Sequence, residues 1–289
     1  MSGQPRLYRA SFSAGLRWLP ASAELMFRSP AGMIGIAALW LLLTMVAMMI
    51  PLLGQLVLVL FTPLLTAGVL IAFDRIRKGL TPGPATLFAA WPDPRRRIDL
   101  ILLGSFSLAG SLLAAGVLVG WLSTQLDPAE LEALAGSPEA LAQTLAGANL
   151  GGGLLLAGLL FSLILAALFF AIPLTVFGKF PALPALLASL RAIIFNWLAF
   201  LGFGLAAMVM AIGLGIILAL LMTVFTLALG QAGMVLVQFL ILAMTMFVQM
   251  LMAGAQYVAF CNLFGWQPDK PSGPTDRDDD DSDDGQLIA

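Results

Sequence analysis

The sequence contains no histidine and only one cysteine, Cys261, among its 289 residues. Without histidine, the chain lacks the commonest general base, the commonest metal ligand and the usual sensor of pH near neutrality. A single cysteine excludes an intramolecular disulfide and a Cys-x-x-Cys pair. Charge is also scarce, because 10% of the residues are charged, compared with about 25% in soluble domains. With no phosphate-binding loop and no nucleophile paired with a base, the sequence predicts no enzyme activity, no cofactor and no metal.

Long apolar runs dominate what the chain does contain, since 60% of its residues are hydrophobic. A helix needs about 20 apolar residues to cross a bilayer core of about 30 Å. Six runs meet this length, at 31–50, 55–73, 99–122, 152–177, 198–226 and 234–260. They predict an all-α fold, with a six-span polytopic membrane domain over 31–265. Residues 1–30 would precede it in the cytoplasm, and the acidic tail 266–289 is too polar to build a core, so we expect it to be disordered.

Two segments outside the spans, 6–29 and 181–197, combine aromatic and basic side chains and each leads into a spanning run. This composition predicts interfacial helices at the headgroup layer. The alternative is that they only cap the bundle. The loop 123–150 contains two helix-start signals, at Asp127 and Ser137, which predict two short helices at the outer surface.

The basic residues give the orientation of the spans. The loops after the first, third and fifth spans contain none of the 14 lysines and arginines. By the positive-inside rule, both termini are then cytoplasmic. Six of these residues flank one inner loop and are candidate contacts for anionic lipid: Arg75, Arg77, Lys78, Arg95, Arg96 and Arg97. The alternative is that they serve only as topology signals.

The stretch Phe-Thr-Pro-Leu-Leu-Thr-Ala-Gly at 61–68 interrupts the second span. Pro63 cannot donate a backbone hydrogen bond, so the carbonyl of Val59 loses its helical partner, which is costly in lipid. Thr62 and Thr66 can return hydrogen bonds locally, and Gly68 allows a neighbouring helix to approach. We therefore predict a kink that faces protein.

A polar stripe is predicted on the sixth span. At 100° per residue, Gln238, Thr245, Gln249 and Gln256 fall within about 20° of one another. These side chains could line a polar path or bind a headgroup or substrate. The alternative is that they join helices through hydrogen bonds worth about 0.6 kcal/mol each.

The spacing Phe-x-x-x-Leu-x-Ala-Gly of 61–68 recurs at 247–254. Both stretches lie near the inner end of the second helix in a hairpin. This suggests a parallel internal repeat of spans 1–2 and 5–6 around a central hairpin of spans 3–4. However, residues 57–61 also match 235–239 in another register, as apolar sequences of low complexity do by chance.

Several short stretches carry a family resemblance: Gly-Leu-Arg-Trp at 15–18, Pro-Leu-Leu-Gly-Gln at 51–55, the 62–68 stretch running into Phe-Asp-Arg-Ile-Arg-Lys-Gly, Ala-Thr-Leu-Phe at 85–88, and 189–197. With these, the layout resembles an uncharacterised family of six-span proteobacterial inner-membrane proteins. It is also similar to the membrane domain found beside some glycerophosphodiester phosphodiesterases. The resemblance covers most of 12–265 and implies the fold, the topology and a bacterial inner membrane, but no activity and no catalytic residues.

The leading functional hypothesis is a non-catalytic inner-membrane protein that binds lipid or scaffolds a membrane partner. Its expected partners are membrane lipids and either another membrane protein or a second copy of the chain, with no nucleic acid. The alternative is a passive transporter or channel for a small neutral or amphiphilic solute. Ion-coupled transport is disfavoured because no predicted span has a charged residue at its centre.

Overall fold

The computed structural model describes residues 7–125 and 151–267, which form eight α-helices, a short 3₁₀ helix and no strand. The helices are α1 (Phe12–Phe27), α2 (Pro30–Met48), α3 (Leu53–Arg77), the 3₁₀ helix (Pro84–Phe88), α4 (Pro94–Leu122), α5 (Gly151–Val176), α6 (Ala182–Phe195), α7 (Trp197–Leu229) and α8 (Gln231–Phe264). The predicted all-α class is confirmed.

Six of these helices, α2, α3, α4, α5, α7 and α8, are long and apolar enough to cross a membrane. Their bounds lie within five residues of the predicted runs. The chain is therefore a multi-pass integral membrane protein. The predicted helices that begin at Asp127 and Ser137, and the tail after residue 267, lie outside the described residues.

The basic residues that the structure describes lie at one end of the bundle, where α2 and α4 begin and α3, α5 and α8 end. We call this the basic end. The short helices α1 and α6 also lie at the basic end. They correspond to the segments 6–29 and 181–197, for which interfacial helices were predicted. The Asp99 carboxylate near the start of α4 accepts the backbone N–H of Ala182 at 3.0 Å, which holds the first turn of α6 in place.

The buried core is concentrated towards the basic end. Phe73 of α3, Phe170 of α5, and Tyr257 and Phe260 of α8 are almost fully buried there. The rest of the bundle is far more open, since α7 buries only two of its 33 residues, Ala199 and Gly202. Lipid is as apolar as a leucine side chain, so faces that point towards hydrocarbon need no protein partner.

The α1 helix crosses α7 at very close range. A Cβ atom on Gly15 would overlap the carbonyl oxygen of Ala199, and one on Gly202 would overlap the carbonyl oxygen of Phe12. This close approach buries Trp18, whose ring packs edge-on against Phe200 at 5.3 Å. Trp18, predicted for the headgroup layer, therefore belongs to the protein core.

The two halves of the predicted repeat make different contacts. The α1 helix packs against α7 and α8, whereas α6 packs mainly against α5. The 3₁₀ helix after α3 is wedged between α2 and α3, where a Cβ on Gly68 would overlap the carbonyl oxygen of Leu87. The structure therefore confirms the six spans but not an internal repeat.

Candidate functional site

A buried carboxylate, Asp74, joins the ends of α3 and α8. One carboxylate oxygen, Oδ1, accepts hydrogen bonds from the Tyr257 hydroxyl at 2.9 Å and from Trp266 Nε1 at 3.3 Å. The other oxygen, Oδ2, forms an ion pair with Lys78 Nζ at 2.9 Å, one turn along the same helix. Each carboxylate oxygen thus has a partner, as a buried charge requires. This network fixes the last turn of α3 against α8.

A pocket lies beside this network, between α1 and α8 at the basic end. Its volume is about 430 Å³, and its polar wall includes Glu24, Arg28, Arg77, Cys261 and Asn262. Glu24 and Arg28 form an exposed ion pair at 2.8 Å, and Arg77 contacts the Cys261 thiol. We call this space the Arg28–Arg77 pocket. It presents two guanidinium groups and one carboxylate, which suits an anion that can share the guanidinium donors.

The structure separates the six basic residues that sequence analysis put forward as lipid contacts. Four have partners within the protein: Arg75 donates to Thr86, Lys78 pairs with Asp74, Arg96 pairs with Asp93, and Arg97 donates to the Trp91 carbonyl. Arg77 and Arg95 are exposed and form no ion pair with any described residue. Arg77 lines the pocket, and Arg95 lies on the surface at the start of α4.

The residues around the predicted kink face protein. Pro63 and Gly68 are buried, and Thr62 and Thr66 are half-buried. Thr62 donates its hydroxyl to the Leu58 carbonyl at 2.7 Å. The neighbouring helix whose backbone approaches Gly68 is the 3₁₀ helix. This region shapes the bundle and is not part of the Arg28–Arg77 pocket.

The polar stripe on α8 does not line one continuous space. Gln238 and Thr245 are exposed, Gln249 is half-buried and Gln256 is buried. The Thr245 hydroxyl donates to its own helix, at the Ile241 carbonyl 2.8 Å away. Gln256 donates its side-chain amide to the Phe169 carbonyl of α5. Gln256 therefore acts as an interhelical hydrogen-bond donor, which was the alternative interpretation of the stripe.

The bond from Gln256 has a specific cause in α5. Pro173 cannot donate to the carbonyl of Phe169, four residues earlier, so that oxygen needs another partner. One turn away, the Ser189 hydroxyl of α6 accepts the Phe170 N–H at 2.8 Å and donates to the Ala166 carbonyl at 2.7 Å. Gln256 thus satisfies the carbonyl that Pro173 leaves free, and Ser189 bridges a neighbouring pair of backbone groups.

Most residues of the Arg28–Arg77 pocket were not predicted as site residues from the sequence. Glu24 and Arg28 seemed part of an interfacial helix, and Tyr257 and Asn262 received no role. One signal was present: Asp74 ends the second span, while Gln256, Tyr257 and Asn262 form a polar group at the end of the sixth. Polar groups at the same end of two spans are candidates for contact, but the pairing itself depends on tertiary packing.

No protein-family model, curated protein or solved structure matches the chain.

Proposed function

We propose that this integral membrane protein is non-catalytic and binds the headgroup of an anionic lipid at its basic end, which faces the cytoplasm of a bacterial inner membrane. The observation that carries the proposal is the Arg28–Arg77 pocket. It combines two guanidinium groups with space of about 430 Å³ beside helices that enter the membrane. Guanidinium groups suit phosphate because their fixed donors can bind two of its oxygens at once.

The surroundings of Arg77 make it the better anchor of the two arginines. Arg28 already shares its charge with Glu24, and both side chains are exposed. Arg77 forms no ion pair with the described residues and follows Asp74 by three residues in α3. Because Asp74 is held by Tyr257, Trp266 and Lys78, the backbone that carries Arg77 is fixed in position before any lipid arrives.

The passive-transport alternative gains no support from the geometry. It depended on the α8 stripe and the Pro63 kink as the lining of a path. In the stripe, Gln238 and Thr245 point away from the protein interior and Gln256 is used in packing. Pro63 is itself buried within the bundle. A membrane-protein partner or a second copy stays a prediction.

The experiment compares Arg77→Gln with Arg17→Gln. Both substitutions remove one positive charge at the basic end, but Arg17 lies outside the pocket and bonds to the Ser13 carbonyl of its own helix. Each variant is placed in nanodiscs of equal phosphatidylglycerol and phosphatidylethanolamine, and native mass spectrometry measures the lipid that is retained. A hydrogen bond from a charged group to phosphate contributes about 1.5–3 kcal/mol, so we expect Arg77→Gln to lower phosphatidylglycerol retention at least tenfold.

Arg17→Gln should leave the preference for phosphatidylglycerol almost unchanged. An equal effect of the two substitutions would show that only total charge matters and would contradict a headgroup site. If both variants keep the full preference for phosphatidylglycerol, the proposed function is contradicted altogether.

A further inference from the structure

An apolar groove opens on the side of the bundle between α2 and α8. It has a volume of about 370 Å³ and is lined by apolar residues only, among them Met26, Met33, Ala38, Ala243, Met246 and Met250. Both helices are membrane spans, so the groove faces hydrocarbon along its length. Its occupant therefore presents an apolar surface inside the bilayer.

The depth of the groove matches one leaflet. Along α2 the lining extends from Pro30, at the basic end, to Leu41. These eleven residue steps rise about 16 Å in a helix. Half of a hydrocarbon core of about 30 Å is about 15 Å. The groove therefore begins at the basic end and stops near the bilayer midplane, as the acyl chain of a lipid in that leaflet does.

The lining is suited to a flexible chain. Met26, Met33, Met246 and Met250 form a buried floor, while Phe27 and Ile34 are exposed at the rim. Methionine is unbranched and polarisable, so it adapts to apolar ligands of irregular shape. Ala38 and Ala243 leave open space where larger side chains would close the groove.

Neighbouring residues at the end of α1 line the groove and the Arg28–Arg77 pocket, which share no lining residue. Phe27 lines the groove, and the next residue, Arg28, lines the pocket. On α8 the groove ends at Met250 and the pocket begins at Tyr257, two turns or about 10 Å further towards the basic end. The cationic site and the apolar site thus follow each other along the membrane normal in the order of a phospholipid's headgroup and acyl chain.

We infer that these two sites hold one anionic phospholipid, with its phosphate in the Arg28–Arg77 pocket and one acyl chain in the α2–α8 groove. This inference rests on the proposed function and adds a chain-binding site to it. The α1 end, from Phe27 to Pro30, lies between the two parts of the lipid. The retained lipid therefore contacts four elements, α1, α2, α3 and α8, instead of a single exposed face.

The experiment uses phosphatidylglycerol that carries a diazirine at the end of one acyl chain. The full chain is reconstituted in nanodiscs with this probe, irradiated, digested and mapped by mass spectrometry. In the unmodified protein, we expect adducts to be concentrated on peptides that contain Leu41 or Ala243, which line the midplane end of the groove. Ala38→Phe combined with Ala243→Leu should lower these adducts at least threefold. Ala219→Phe, a control at an exposed alanine on α7, should leave them unchanged.

The outcomes separate the two proposals. Adducts spread evenly over exposed faces of α7 and α8 in the unmodified protein would overturn the groove site. If Arg77→Gln lowers phosphatidylglycerol retention but the filled groove does not change it, the inference fails and the headgroup site stands. If a phosphatidylcholine probe labels the groove equally and Arg77→Gln has no effect on either probe, both the shared site and the proposed function fail.

Discussion

Ser22 and Ser189 occupy comparable places on the two short helices. Each is completely buried, and each donates its hydroxyl to a backbone carbonyl of a spanning helix: Ser22 to Leu251 at 2.8 Å and Ser189 to Ala166 at 2.7 Å. Asn196 acts as an acceptor instead, because its side-chain oxygen accepts a hydrogen bond from the Ala10 N–H at 2.8 Å. Single polar side chains therefore fix the short segments of the basic end, because an unpaired polar group in such a core costs more than the bond itself contributes.

The two tyrosines of the chain allow a test of the hydrogen bond between the Tyr257 hydroxyl and the Asp74 carboxylate. Tyr257→Phe removes the hydroxyl that donates to Asp74, whereas Tyr8→Phe alters an exposed ring. Loss of one hydrogen bond to a buried charged group should lower the free energy of unfolding by about 1.5–3 kcal/mol. Thermal unfolding in detergent should show a lower midpoint for Tyr257→Phe only. Equal midpoints would mean that Trp266 and Lys78 alone satisfy the carboxylate.

At the scale of the element, the proline in α5 determines which other helices must lie beside it. The break at Pro173 requires a donor for the Phe169 carbonyl, and α8 supplies Gln256. The neighbouring turn receives Ser189 from α6. A proline of this kind determines which helices pack beside it, because the backbone carbonyl that it leaves unbonded needs a hydrogen-bond donor from a neighbouring helix. An uninterrupted apolar helix has no such requirement.

A double-mutant cycle tests the link between Pro173 and Gln256. Gln256→Leu alone should cost about 1 kcal/mol of stability, whereas Gln249→Leu, two turns away and half-buried, should cost little. In a Pro173→Ala background, residue 173 supplies an N–H to the Phe169 carbonyl, so the cost of Gln256→Leu should fall towards zero. Additive effects, measured by reversible unfolding in mixed micelles, would show that the two residues act independently.

The crossing of α1 and α7 offers a second test at this scale. Gly202→Ala places a methyl group against the Phe12 carbonyl, but Gly204→Ala, on the same helix, meets nothing within 4 Å. Overpacking at the crossing should cost about 1–3 kcal/mol and release α1, including Trp18. Limited proteolysis of the N-terminal segment should become faster in Gly202→Ala and stay unchanged in Gly204→Ala. The same cleavage rate in both would mean that α1 is held mainly through α8.

At the scale of the whole molecule, the spans could be predicted because twenty consecutive apolar residues have few alternatives to a membrane helix. The packing of the spanning helices against one another could not be predicted from the sequence. In α7 the buried Ala199 and Gly202 are no more apolar than their exposed neighbours, so no hydropathy pattern marks the contact face. Two of the three partners of Asp74, Tyr257 and Trp266, lie 183 and 192 residues away along the chain. Such pairings depend on how the helices are arranged, which local sequence does not specify.

The orientation of the molecule can be tested with the single native cysteine. Cys261 lines the pocket at the basic end, and Ser123 is exposed at the opposite end of α4. If the basic end faces the cytoplasm, a membrane-impermeant maleimide should label Cys261 in inverted vesicles and not in intact spheroplasts. Ser123→Cys in a Cys261→Ser background should give the reverse pattern. Labelling of Cys261 in intact spheroplasts would contradict the positive-inside assignment.

The contacts of α1 have a consequence for biosynthesis. This helix precedes all six spans, yet Trp18 and Ser22 are buried against α7 and α8, the last two spans. During translation, α1 therefore cannot complete its docking until more than two hundred further residues are made, because its buried face lacks part of its partners until α8 is inserted. A ribosome that stalls before Leu251 leaves a product with an unpaired Ser22, and one that stalls before Phe200 also leaves Trp18 exposed. Docking of α1 would thus distinguish a complete chain from an interrupted one.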